Sequence, residues 1–229
     1  MAFISRRTLA FLCLAVLSAF WLSAAGVGTN VPSAEDQAET LESSLKAIEW
    51  YTNESVRKAL QAESAGDVAN AKLFGNKAIE SDQKAKDLRS QTAAAWVKAG
   101  KPARANAAWL RAASMATERA QLLGNRVQPL LKQWKEAQAQ SDEAVKRDKE
   151  IIYLQGVFVY AQQWALAAEF FESAGEKAMA ADAWAEVDKL LPVMLNNNRM
   201  QVFAGDGRLA GDSLRIESWK KHQPFTMKK

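Results

Sequence analysis

Apolar and polar positions follow three different patterns along the chain. Residues 9–22 form an apolar run broken only by Ser18. From Ser33 to Pro192, apolar residues return every three or four positions, the spacing of amphipathic helices. After Val193 no such stripe continues. Ser33 is placed to cap the first helix, with Glu35 and Asp36 in the turn where the helix dipole favours negative charge. Leu41, Leu45, Ile48 and Val56 then keep helical spacing up to Ser64. Ala65-Gly66-Asp67 predicts a stop and a restart, glycine closing one helix and aspartate capping the next. Between Asp67 and Lys98 only Gly75 weakens the pattern, so the stretch suits either two short helices or one fused helix of about 30 residues. Ala99-Gly100 repeats the punctuation, and Gly124-Asn125 with Pro129 predicts a further interruption. Pro192 and Asn196-Asn197-Asn198 close the last helix.

Aligning the chain on its turns exposes a shared spacing. Gly66 is followed by Ala71, Phe74 and Ala78, and Gly100 by Ala105, Trp109 and Ala112. Counting from Gln162 gives Ala167, Phe171 and Ala174, and counting from Gly175 gives Ala180, Trp184 and Val187. A small residue five positions past a turn lets two helices approach, and the aromatic about one turn further fills the groove beside that contact. These twelve positions are therefore the expected core packing. Each buried aromatic removes roughly 150–250 Å² from water, at about 25 cal/mol per Å².

The step from Gly66 to Gly100 is 34 residues, and Ala-x3-aromatic follows every start but the first, where Phe74 comes one residue early. In both respects the stretch 55–190 resembles the tetratricopeptide repeat, whose second helix carries an A-x3-F signature in a 34-residue period. Leu154 and Phe158 take first-helix places of that pattern, as does Trp96, whereas Thr92, Ala93 and Gln155 depart from it. The resemblance implies an all-α stack of helical-hairpin repeats over residues 33–192, with a groove for a protein partner. A long antiparallel helical bundle is the alternative architecture.

The segment before the body is a targeting signal. Arg6 and Arg7 give it a positive flank, the apolar run follows, and Ser23-Ala24-Ala25 supplies the small residues a signal peptidase selects, with the cut between Ala25 and Gly26. Residues 8–27 could instead stay as a membrane anchor, because no charge falls between Arg7 and Glu35. Both readings place the body in the periplasm or beyond, with residues 26–32 as a linker. Contact with the membrane is then expected only through this segment. The arginine pair is an ordinary export flank, since the residues around it match the twin-arginine pattern incompletely.

Composition narrows the function. Hydrophobic residues at 48% and charged residues at 24% suit a globular body. The net charge of +4 comes from 30 basic and 26 acidic residues, and falls by two without Arg6 and Arg7. So small a surplus gives no basic stripe for nucleic acid. Cys13, the only cysteine, lies in the leader, and His222 is the only histidine. Nucleophilic Cys–His or Ser–His systems and Cys/His zinc sites thus lack their residues. Ala204-Gly205-Asp206-Gly207-Arg208 lacks the Gly-Lys-Ser/Thr ending of a phosphate loop and the alternating acids of a calcium loop, so a turn is expected. No catalytic, metal or cofactor residue is assigned. The carboxylates read as surface partners of nearby bases, as with Glu143, Lys146 and Arg147.

Trp50 beside Tyr51, Trp134 between polar neighbours, and Trp219 in the tail are the candidate partner-facing aromatics. Residues 193–229 read as an irregular basic tail, with Val202-Phe203 and Leu214-Arg215-Ile216 as short strands. The tail either clasps the body or docks a partner. The expected function is an exported, non-catalytic scaffold that binds another envelope protein. The alternative is a periplasmic binding protein whose pocket, lined by Trp96, Trp109 and Trp164, takes a small molecule or a cell-wall fragment.

Overall fold

The computed structural model describes residues 32–194 together with Ile216, Ser218 and Trp219. The leader, the Ala25–Gly26 cut, Asn196–Asn198 and the proposed strand at 202–203 lie outside the described residues. Contacts divide the chain into Met1–Ser33 and Ala34–Lys229, and five helices fill the second unit. They are α1 (Ala34–Ser64), α2 (Val68–Lys98), α3 (Pro102–Gln138), α4 (Glu143–Ser173) and α5 (Lys177–Met194). The fold is all-α. Among the described residues, no helix is long and apolar enough to cross a membrane.

Three of the four turns use one device. Gly66, Gly100 and Gly175 have φ of 73°, 72° and 82°, a region that side-chain-bearing residues avoid. In each turn the next residue donates its N–H five residues back: Asp67 to Ala62 (2.8 Å), Lys101 to Trp96 (2.9 Å) and Glu176 to Phe171 (2.8 Å). That bond satisfies a carbonyl the helix end would otherwise leave open. Asp67 then starts α2 by accepting from the Asn70 N–H at 3.0 Å. The fourth turn has no glycine. Asp142 starts α4 by accepting from the N–H groups of Ala144 (2.8 Å) and Val145 (3.3 Å).

That fourth turn corrects the expected break at 124–129, because α3 runs through it. Gly124 is a contact: a Cβ there would come within 3.1 Å of Tyr160 on α4. Pro129 is exposed, so water can reach the Asn125 carbonyl that proline leaves without a donor. The copy counted from Gln162 is corrected too, since Gln162 sits inside α4 with no turn before it. The step from Gly66 to Gly100 therefore holds one helix of 31 residues, and the next helix runs for 37. A helix pair within a 34-residue repeat allows only about 15 residues each. These lengths match the long-hairpin alternative. At the other end, α5 passes Pro192 and reaches Met194, and Ile216, placed in a strand by the sequence reading, is helical.

The helices pack in sequence. α1 and α2 form one antiparallel hairpin and α3 and α4 a second, with α5 against α4. α1 also lies beside α3, and the two run parallel. The main apolar core joins α3, α4 and α5 through residues such as Ala112, Leu130, Leu154, Phe158, Trp184 and Leu191, and includes Ile216 and Trp219 from the tail. A small second cluster, Ala38, Ala93, Trp96 and Ala105, holds the base of the first hairpin. Of the twelve expected packing positions, Ala78, Ala105, Ala112, Ala167, Phe171, Ala174, Ala180, Trp184 and Val187 are buried. Ala71, Phe74 and Trp109 are half-buried. Phe74 stays near the surface, with the Lys77 and Lys58 ammonium groups 5.1 and 5.8 Å from its ring centre.

Candidate functional site

The first hairpin meets the rest of the molecule through charge. Glu35, Glu42, Glu49 and Glu63 lie on α1 at multiples of seven residues, a spacing that keeps them on one face. Along α3 they meet Lys101, Arg104, Arg111 and Arg126. The centre of this ladder is buried. Glu49, 1% exposed, shares its two oxygens between Arg89 Nε at 3.1 Å and Arg111 Nε at 3.3 Å. Glu42 Oε2 accepts from Trp96 Nε1 at 2.9 Å, and the Arg104 guanidinium stacks 4.9 Å from the Trp96 ring centre. Burial alone would raise the Glu42 carboxyl. Lys46, Trp96 and Arg111 outweigh burial and hold it below the ordinary carboxylate range.

Deeper along the seam, Arg119 donates from Nε to Gln163 (2.8 Å) and from Nη1 to Asn53 (2.9 Å). Its Nη2 lies 3.5 Å from Asp82 Oδ1. Loss of water lowers the Arg119 pKa from its ordinary value, against the pull of Asp82. Asp82 also takes Arg89 Nη2 at 3.0 Å, and the Arg89 guanidinium lies 4.9 Å from the Phe170 ring centre on α4. Glu42, Glu49 and Asp82 thus face Arg89, Arg104, Arg111 and Arg119, and Arg57 pairs with Glu118 beside them. A network so connected fixes the relative positions of helices more surely than it adds stability.

Above this floor a groove of about 1170 Å³ opens between α2 and α4. On the α2 wall stand Val68, Lys72, Gly75, Ile79 and Lys86, and on the α4 wall Val159, Gln162 and Leu166. Asp82, Arg89 and Arg119 reach it from the seam, and Ser218 and Trp219 contribute from the tail. The rim is open: Val68 is 77% exposed and Ile79 61%. Among the described residues four of the exposed large hydrophobic side chains lie on α2 (Val68, Leu73, Ile79, Val97), and two of these, Val68 and Ile79, line the groove. Aliphatic groups left in water at a groove's rim mark a surface that a partner can cover.

The sequence-based candidates fall in different places. Trp50 and Tyr51 are 62% and 44% exposed on α1, but they do not line the groove. Trp134 and Trp219 are corrected as exposed patches. Trp134 stacks on Tyr153 at 5.4 Å, which draws it into the α3–α4 interface. Trp219 stacks on Phe158 at 5.5 Å and is 5% exposed, so it acts as packing at the groove's edge. None of Trp96, Trp109 and Trp164, expected to line a ligand pocket, lines this groove. Trp96 is fully buried, Trp109 stacks on Phe170 at 5.8 Å, and Trp164 meets Tyr160 edge-on at 6.5 Å. Among the described residues no three His, Cys, Asp or Glu side chains gather as a metal ion would need. Compared with known protein families, curated proteins and solved structures, the chain matches none.

Proposed function

We propose that this chain is an exported, non-catalytic interaction module of the bacterial cell envelope, and that the α2–α4 groove holds another protein. The observation that carries the reading is the groove's exposed aliphatic rim, Val68 and Ile79, set over a floor of tied arginines. Its volume of about 1170 Å³ is larger than the roughly 300–1,000 Å³ that usually encloses a small ligand. That size favours a protein segment over the small-molecule alternative. The Arg6-Arg7 flank, the apolar run and Ser23-Ala24-Ala25 support the envelope as its address.

The test is site-specific photo-crosslinking in intact cells, with the photoreactive residue placed at Ile79 or, as a control, at Lys132 on the far side of α3. The reading expects a discrete protein adduct from Ile79, absent from Lys132 and lost when Val68→Glu is added. Matching patterns from the two positions would contradict it.

A further inference from the structure

Three mid-helix glycines behave differently. Glycine weakens a helix interior relative to alanine, so each position needs a reason. For Gly124 and Gly156 the reason is the neighbouring helix: an added Cβ would lie 3.1 Å from Tyr160 or 2.5 Å from Leu130. At Gly75 an added Cβ would meet nothing within 4 Å. Gly75 lines the groove, with Ala71 and Ala78 one turn to either side on the same wall. Such a wall lets another backbone come close, and the described residues leave that space open.

The charges of the groove are also uneven. Its lining carries five cationic side chains, Lys72, Lys86, Arg89, Arg119 and Arg126, against Glu63, Asp82 and Glu169. Arg126 pairs with Glu63 at 2.7 Å, and Arg89 and Arg119 share Asp82. Lys72 and Lys86 are exposed and make no ion pair among the described residues. They stand fourteen residues apart, two heptads and about 21 Å along one face of α2.

Building on the interaction reading above, we infer that the groove's occupant is an acidic amphipathic helix of a partner protein. Its apolar stripe covers Val68, Ile79 and Leu166, its backbone comes closest to α2 at Gly75, and two carboxylates spaced two heptads apart pair with Lys72 and Lys86. The chain's own tail reaches the groove's edge through Ser218 and Trp219 but does not complement its charge: residues 195–229 hold seven Lys and Arg against three Asp and Glu. A second copy presenting the same wall would set lysine against lysine.

Fluorescence anisotropy on the full chain purified from envelope extract tests this. The probes are labelled synthetic amphipathic helices about three heptads long, identical except for Glu, Gln or Lys at two positions two heptads apart. The Glu helix is expected to bind about tenfold more tightly than the Gln helix, and the Lys helix more weakly than both. Lys72→Glu with Lys86→Glu should reverse that order, and both changes fall on exposed positions. Gly75→Leu should abolish binding of the Glu helix without lowering the urea midpoint, because its side chain enters open space. Equal binding of all three helices, binding of none, or insensitivity to Gly75→Leu would each overturn the inference. If the Ile79 crosslink still forms in cells while the helices fail, the inference falls and the interaction reading stands. If the crosslink is lost as well, both fall.

Discussion

The first hairpin and the α3–α5 body draw on the same Ala-, Glu-, Lys- and Leu-rich vocabulary, yet they are held by different forces. In the body, Leu154, Val157, Ala161, Ala168, Trp184, Val187 and Leu191 are at most 2% exposed and touch one another. Its two close glycines let α3 and α4 meet without a gap. In the hairpin the buried positions include Glu49, Thr52, Asn53, Ser55, Ser81, Arg89 and Thr92. An apolar core holds no titrating group, and its attraction has no fixed direction. A charged seam is directional, and it gives little net stability once desolvation is counted. The body is thus a stable base, and the hairpin is an arm set at a fixed position on it. The groove runs along the arm from Val68 near its tip to Arg89.

The largest effect is expected in the base. Trp184→Ala should cost about 3–5 kcal/mol by removing a side chain only 2% exposed. It should lower the urea midpoint of α1–α2 and α3–α5 together, because the arm has little core of its own.

A smaller effect, about 3 kcal/mol and confined to the arm, is expected from Glu49→Ala, which leaves buried Arg89 with only Asp82. The double change Glu49→Leu with Arg89→Met should recover most of that loss in a denaturation cycle, since no lone charge stays buried. If the double change costs the sum of the two single ones, the seam is not a coupled network.

The glycines give the smallest contrast. Gly75→Ala should raise stability by up to about 1 kcal/mol, because it gains helix propensity in open space. Gly156→Ala should show no such gain, because Leu130 must rotate before the methyl fits. Equal gains at both sites would mean that the body is no more tightly packed than the arm.

Much of this arrangement can be read from the chain, and the reasons are local. Gly66, Gly100 and Gly175 mark real turns because a positive φ is a property of one residue and its neighbours. The alanines after them, Ala71 excepted, are buried because a small residue at that spacing lets the next helix come close. Gly124 and Pro129 misled the reading: whether a glycine breaks a helix depends on what packs against it, and here that is Tyr160, thirty-six residues away. The real break at Asp142 depends on an aspartate cap followed by Glu143, a weaker local signal. Trp134 and Trp219 sit among polar sequence neighbours, but their stacking partners, Tyr153 and Phe158, lie on α4. The seam's glutamates stand in the chain at heptad spacing from Glu35 to Glu63, with Val56 taking one place. That spacing also suits a solvated stripe, and only the placement of α3 beside α1 separates the two readings. Lys72, Gly75 and Ile79 belong to one site only because α2 and α4 diverge, which no local pattern records.

The contrast between arm and base is tested most directly by native-state hydrogen exchange, followed from neutral pH down to pH 4. Glu42 is held below its ordinary carboxylate range, so the stability it contributes is present in full above that range, about 4.3, and fades as the pH falls through it. The account predicts that amides around Arg89 and Trp96 exchange through a lower-energy opening than those around Leu154 and Val157, and that the gap widens as the pH falls. One common opening free energy for both regions, moving together with pH, would contradict it.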